Sequence, residues 1–320
     1  MSKFSIQNIQ YKKIYMLQLF FYLFLSFFLI ALNEQEILID QYYLFFCFFI
    51  IATIGISHGS LDNEKGEFIL KKIFPRYWSF IFYGAYILTS LFVLIAWIYW
   101  PLTSLCIFFL VASFHFGYED LEMFFDQRFF FEIPFYFTRG LIVISTPLYL
   151  NNIETVNFID ILLLGKNWIN LEFSTYGYIF YLNLLLIFAL SFLFLIKKTI
   201  NFKDFLIIGL EVLSIVVIFK YLPLIMAFTM YFCFMHSTKH IMSLAMELGR
   251  DNMIVGIKKF TNKAMPLTII TFGMSLIMLF YLSKDFSVDK SILKIIFIGL
   301  ASLTLPHIIL EYIYAKNKRS

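Results

Sequence analysis

A chain of 320 residues that is 61% hydrophobic, 21% aromatic and only 14% charged holds too little charge for a soluble domain, where about 25% is usual. The net charge of +4 lies in short basic clusters beside apolar runs, a topology signal that argues against a nucleic-acid partner. Most of this surface must face the lipid bilayer.

A helix needs about 20 apolar residues to cross the hydrocarbon. The first such run covers roughly 14–32 and is followed by Asn33-Glu34-Gln35-Glu36, with no small-residue cleavage pattern. It therefore reads as a retained span rather than a signal peptide. Further spans are expected near 41–59, 79–100, 102–118, 133–150, 175–196, 204–221, 223–246, 264–282 and 291–314, about ten in all. Trp100-Pro101 and Leu222-Pro223 each separate two neighbouring runs. Proline cannot continue a helical hydrogen-bond ladder, so both read as tight helical hairpins.

Basic residues sort by side. Lys12-Lys13, Lys71-Lys72, Lys197-Lys198 and Lys258-Lys259 fall on the side of the N-terminus, whereas the opposite loops hold only Lys166, Lys220, Lys284, Lys290 and Lys294. The positive-inside rule then places both termini in the cytoplasm, and the membrane expected is the inner (plasma) membrane. The three cysteines, Cys47, Cys106 and Cys233, sit in apolar runs without C-x-x-C spacing and read as small buried side chains. With no long linker or low-complexity tract, the expected fold is all-α, a polytopic transmembrane helical bundle forming one membrane domain over 1–320.

The five histidines stand out against this background. On the expected topology His58, His115, His236, His240 and His307 all fall toward one membrane face, on spans running the same way. Ionisable groups at membrane depth are costly and mark functional sites by default. Imidazole is also a preferred neutral ligand for iron, zinc and copper. His236 and His240, four apart, share a helix face and can reach one ion. His58 and His115 would come from two other helices. A lone helical histidine is more often a hydrogen-bonding residue than a ligand, but a chain that spends all its histidine in one zone favours a metal. A bis-histidine haem and a proton relay in a transporter remain the other readings. Asp62 and Asp120 are candidates to accept the second imidazole N–H of a ligand. Against that, both are solvated acids at helix ends on the bland reading, and Asp120 lies in an acidic run with Glu119 and Glu122. Glu311, one turn after His307, is a weaker candidate; Arg139, inside the fifth span, is either a buried ion-pair partner or a side chain that snorkels to the interface, and receives no role at the site. Gly59 and Gly117, just after two of the histidines, leave room for close backbone approach or for substrate. The aromatic runs Phe45-Phe46-Cys47-Phe48-Phe49 and Tyr231-Phe232-Cys233-Phe234 are space-filling first and a substrate tunnel only second. There is also a local echo: His58 and His115 are each followed by a glycine and then by an aspartate four or five residues on.

Gly55-Ile56-Ser57-His58-Gly59-Ser60-Leu61-Asp62, Ser113-Phe114-His115-Phe116-Gly117, His236-Ser237-Thr238-Lys239-His240 and Leu305-Pro306-His307 together resemble the Brp/Blh family. These are the bacteriorhodopsin-related membrane β-carotene 15,15′-dioxygenases. The motifs follow the family's order, with Lys239 where arginine would be expected. The resemblance implies an Fe(2+) centre held by His58, His115, His236 and His240; His307 matches a family motif too, and completing the site, touching bound oxygen, supporting a ligand from outside it like Asp62 and Asp120, or only supporting the bundle all stay open for it. It implies that β-carotene and O2 are the substrates and two all-trans retinal the products, with a retinal-binding rhodopsin as a possible partner. A haem- or retinoid-binding protein and a transporter are the alternatives. Five histidines are too few for the histidine boxes of a membrane di-iron desaturase.

Overall fold

A computed structural model describes residues 3–36, 42–125, 132–165, 172–249 and 252–317; Lys166 lies outside them. The helices are α1 (Lys3–Glu34), α2 (Tyr43–Ile50), α3 (Asp62–Leu70), α4 (Trp78–Tyr99), α5 (Pro101–Leu121), α6 (Ile133–Leu150) and α7 (Asn152–Leu162). They continue with α8 (Phe173–Ile196), α9 (Phe202–Tyr221), α10 (Leu224–Thr229), α11 (Thr238–Gly249), α12 (Met253–Leu282) and α13 (Val288–Asn317). No strand occurs among the described residues. The all-α membrane architecture expected from composition is the one observed.

Eight helical stretches among the described residues are long and apolar enough to cross a membrane. α9, with Lys203, Asp204, Glu211 and Lys220, is not among them, nor is the stretch from α10 to α11. Both proline breaks fall between helices: α4 stops at Tyr99 before Pro101 opens α5, and α9 stops at Tyr221 before Pro223. α7 has no counterpart among the expected spans, and at 11 residues it is too short to be one.

Two interruptions of regular helix bear on the histidines. Ile51–Gly55 is wound as a π-helix and leads through Ile56 and Ser57 into a 3-10 turn at His58–Leu61. Met230–Ser237 is also π-helical and contains His236. Such wide turns are rare and concentrate at functional positions. Gln18 on α1 donates to the carbonyls of Phe234 and Met235 at 2.9 and 3.0 Å, giving partners to backbone groups of the second interruption.

The chain groups into two compact units. The first comprises Met1–Cys47, Ile107–Asp160 and Asn167–His240. Within it α6 packs on α8 and α9, and α1 packs on α9 and on the Met230–Ser237 stretch. α5 and α6 approach backbone to backbone. A side chain at Gly117 would overlap the Tyr136 carbonyl, and one at Gly140 would overlap that of Ser113. Gly117 therefore serves helix packing rather than substrate access. Gly117→Ala should part the two helices at a cost of about 1–3 kcal/mol or more, read as a lowered unfolding temperature in detergent.

The second unit comprises Phe48–Cys106, Ile161–Lys166 and Ile241–Ser320. There α13 packs on α3, α4 and α12, while α12 also covers the π-helical stretch and the 3-10 turn around His58. Leu61, Ala245, Phe260 and Ala264 form a buried apolar cluster beside that turn. Gly249 and Gly256 meet so closely that neither has room for a side chain.

Candidate metal centre

In the first unit, three imidazoles converge on one carboxylate. His115 and Glu119 lie one turn apart on α5, with His115 Nε2 3.8 Å from Glu119 Oε1. His236 Nε2 stands 3.3 Å from Glu119 Oε2, and His240 Nδ1 3.4 Å from Glu119 Oε1. The i, i+4 spacing of the histidine pair thus does bring both rings to one place. His115 and His236 meet edge to face, ring centroids 5.5 Å apart. His115 and His236 are buried, and Phe116 and Phe232 pack on the His236 ring at 4.8 and 6.0 Å.

His236 is anchored on its other nitrogen. Its Nδ1 lies 3.2 Å from Asp120 Oδ1, and a carboxylate accepts, so Nδ1–H donates. Asp120 is fully buried and held in turn by the Tyr231 hydroxyl at 3.0 Å and by Arg139 Nη2 at 3.1 Å. Arg139 also pairs with Glu211 of α9 at 3.0 Å. Lys239 donates to the Asp120 backbone carbonyl, lies 3.5 Å from Glu211 and sits over the Tyr15 ring at 4.7 Å. Tyr15 of α1 donates to Glu211 as well. Lys239 thus points into this charged network, where a cation is what matters. In this network two acids, Asp120 and Glu211, are met by two bases, Arg139 and Lys239, as buried charges must be.

The second unit holds the other two histidines. His58 Nδ1 meets the Gly55 carbonyl, which can only accept, so this ring keeps its lone pair on Nε2. His307 Nδ1 lies 2.9 and 2.8 Å from the two oxygens of Asp62, and the Tyr86 hydroxyl donates to Asp62 at 3.0 Å. The rings of His58 and His307 meet edge to face at 5.3 Å. Donor atoms of Asp62, His307 and Glu311 lie within 4.8 Å of one another, and Glu311 is ion-paired with Lys65.

The chemistry of these groups fits a divalent transition metal. Neutral imidazoles with anchored tautomers and a carboxylate are the ligands such an ion prefers, and each anchor is the outer-sphere partner that ligating histidines normally have. Asp120 lies at Nδ1 of His236, and Asp62 lies at Nδ1 of His307 rather than of His58. Glu211 and Tyr86 were not singled out by the sequence, Glu119 stood there only as part of an acidic run, and Tyr231 only as part of an aromatic one; Arg139 is the buried ion-pair partner rather than a snorkelling residue. The expected span 102–118 stopped short of Glu119 and Asp120, which lie on α5 itself, with Asp120 paired to Arg139. Of the aromatic runs, Phe232 packs on His236, but Phe45, Phe46 and Phe49 are exposed.

A family model described as β-carotene 15,15′-dioxygenase matches residues 49–314. The chain belongs to the β-carotene 15,15′-dioxygenase family. The match opens in α2 and closes in α13, so it takes in all five histidines and every anchor except those that α1 supplies. The chain is also similar to a β-carotene 15,15′-dioxygenase of an uncultured marine bacterium 66A03, 25% identical over 271 residues covering 82% of this chain and 90% of that relative. No solved structure matches.

Proposed function

We propose that this chain is a membrane enzyme that cleaves the central 15,15′ double bond of β-carotene with O2 to give two molecules of all-trans retinal, using Fe(2+) held by His58, His115, His236 and His240. The observation that carries the reading is the convergence of His115, His236 and His240 on Glu119, with His236 anchored by Asp120. His58, anchored on its Nδ1 in the same manner, supports the fourth ligand. Family membership supplies the substrate.

Bound iron(II) would supply the redox partner that makes O2 reactive toward a double bond. The chain's own residues do the rest. Asp120 and the Gly55 carbonyl fix which ring nitrogen of His236 and His58 is offered. Phe116 and Phe232 give His236 an apolar, aromatic surround that suits a hydrocarbon without polar handles. Exposed Phe, Leu and Ile along the spans fit a bilayer, where that hydrocarbon resides. We place the protein in the inner (plasma) membrane with both termini cytoplasmic, on the distribution of lysine and arginine, and a retinal-binding rhodopsin is the natural recipient of the product.

The test is expression in β-carotene-producing bacteria, with retinal and protein-bound iron measured. The expected result is loss of orange colour, retinal in the extract and iron in the purified protein. Carotene that persists without retinal, in cells holding folded protein, would overturn the reading and favour a transporter or a haem- or retinoid-binding protein.

A further inference from the structure

We infer that His307 is a metal ligand, presented to an ion by Asp62 and Tyr86 as His236 is presented by Asp120 and Tyr231. The inference rests on the metal reading above.

The argument begins with the local echo in the sequence. Each of its two segments supplies a histidine, His58 or His115, and four or five residues later an aspartate, Asp62 or Asp120. In each unit that aspartate binds the Nδ1 of a second histidine from a later helix: Asp120 takes His236, and Asp62 takes His307. Each aspartate also accepts a tyrosine hydroxyl at 3.0 Å, from Tyr231 or Tyr86. Each anchored ring meets the histidine of its own segment edge to face, at 5.5 Å in one unit and 5.3 Å in the other. The spacing extends further, since His236 is followed four residues on by His240 and His307 by Glu311, both one helical turn away.

Two separate units therefore build the same array of tyrosine, aspartate, anchored histidine and neighbouring histidine. A purely structural histidine needs only a hydrogen bond. Fixing the tautomer through Nδ1 to a buried carboxylate, itself fixed by a tyrosine, is the arrangement that presents Nε2 to a metal. His307 is 3% exposed, so the anchoring is not a surface ion pair. Asp62 and Tyr86 are on this view positioning residues.

Co(II) bound to the full chain in detergent is the probe, because its visible bands report the ligands directly. His307→Gly should weaken Co(II) binding at least about 10-fold and shift those bands, and added imidazole should restore both. A folded His307→Gly protein with parental affinity and unshifted bands would overturn the inference. If that variant does not fold, Asp62→Asn keeps the volume and weakens only the anchor. About 10-fold weaker Co(II) binding with shifted bands is then expected, and parental values sink the idea. Failure of the unsubstituted chain to bind Co(II) or iron at all would instead remove the metal reading itself.

Discussion

His236→Ala is expected to yield a folded protein that retains no iron and forms no retinal. The residue is 1% exposed, and its ring stands between two carboxylates. One, Asp120, anchors its Nδ1; the other, Glu119, lies beside its Nε2. Losing an outer-sphere partner of a metal ligand costs about 10–100-fold in metal affinity or activity. Losing the ligand itself should exceed that range, so iron affinity should fall by more than about 100-fold. Folding should survive because Asp120 keeps Arg139 and Tyr231 when the imidazole is gone. Asp120→Asn is the graded control. It leaves His236 in place but weakens its anchor, and should fall inside the 10–100-fold range. Metal analysis of the purified proteins, with retinal measured by chromatography, separates the two. Iron and retinal at the parental level in His236→Ala would remove this histidine from the ligand set.

The membrane character was legible because it is additive: every span adds apolar residues, and composition sums them. The histidines were legible because they are scarce and confined. What their anchors do was not, since a hydrogen-bond partner is a fact of three dimensions. Asp62 lies four residues after His58, yet it serves His307, 245 positions away. Glu119 read as part of an acidic run because the apolar pattern stops before it, whereas the helix does not. Helix propagation rests on backbone hydrogen bonds and needs no apolar residue, and Arg139 of α6 offsets the cost of burying Asp120 there. The π-helical turns at Ile51–Gly55 and Met230–Ser237 are equally silent in the sequence. Both stretches have the apolar pattern of ordinary helix, and only the packing around the histidines that follow selects the wider turn.

Arg139→Met is expected to destabilise the protein by about 3–5 kcal/mol, the cost of breaking a buried ion pair and stranding its partner. Arg139 has no exposed surface, and it joins two carboxylates, Asp120 and Glu211, that are as deeply buried. With Lys239 the network holds two acids and two bases, so removing one base leaves a net negative charge where no water can reach. The loss should appear as early unfolding in detergent. It should also weaken metal binding, because Asp120 is the anchor of His236. Two companion variants follow from the same geometry. Arg139 makes both contacts through Nη2, while its Nε and Nη1 have no hydrogen-bond partner among the described residues. A single cationic nitrogen is therefore the essential part, and Arg139→Lys should keep most of the stability. Arg139→Met combined with Glu211→Gln restores neutrality by deleting one charge of each sign, and should recover most of what the single change loses. If the double variant were no more stable than Arg139→Met, the stabilising element would be the packing of the arginine side chain and not the balance of charge.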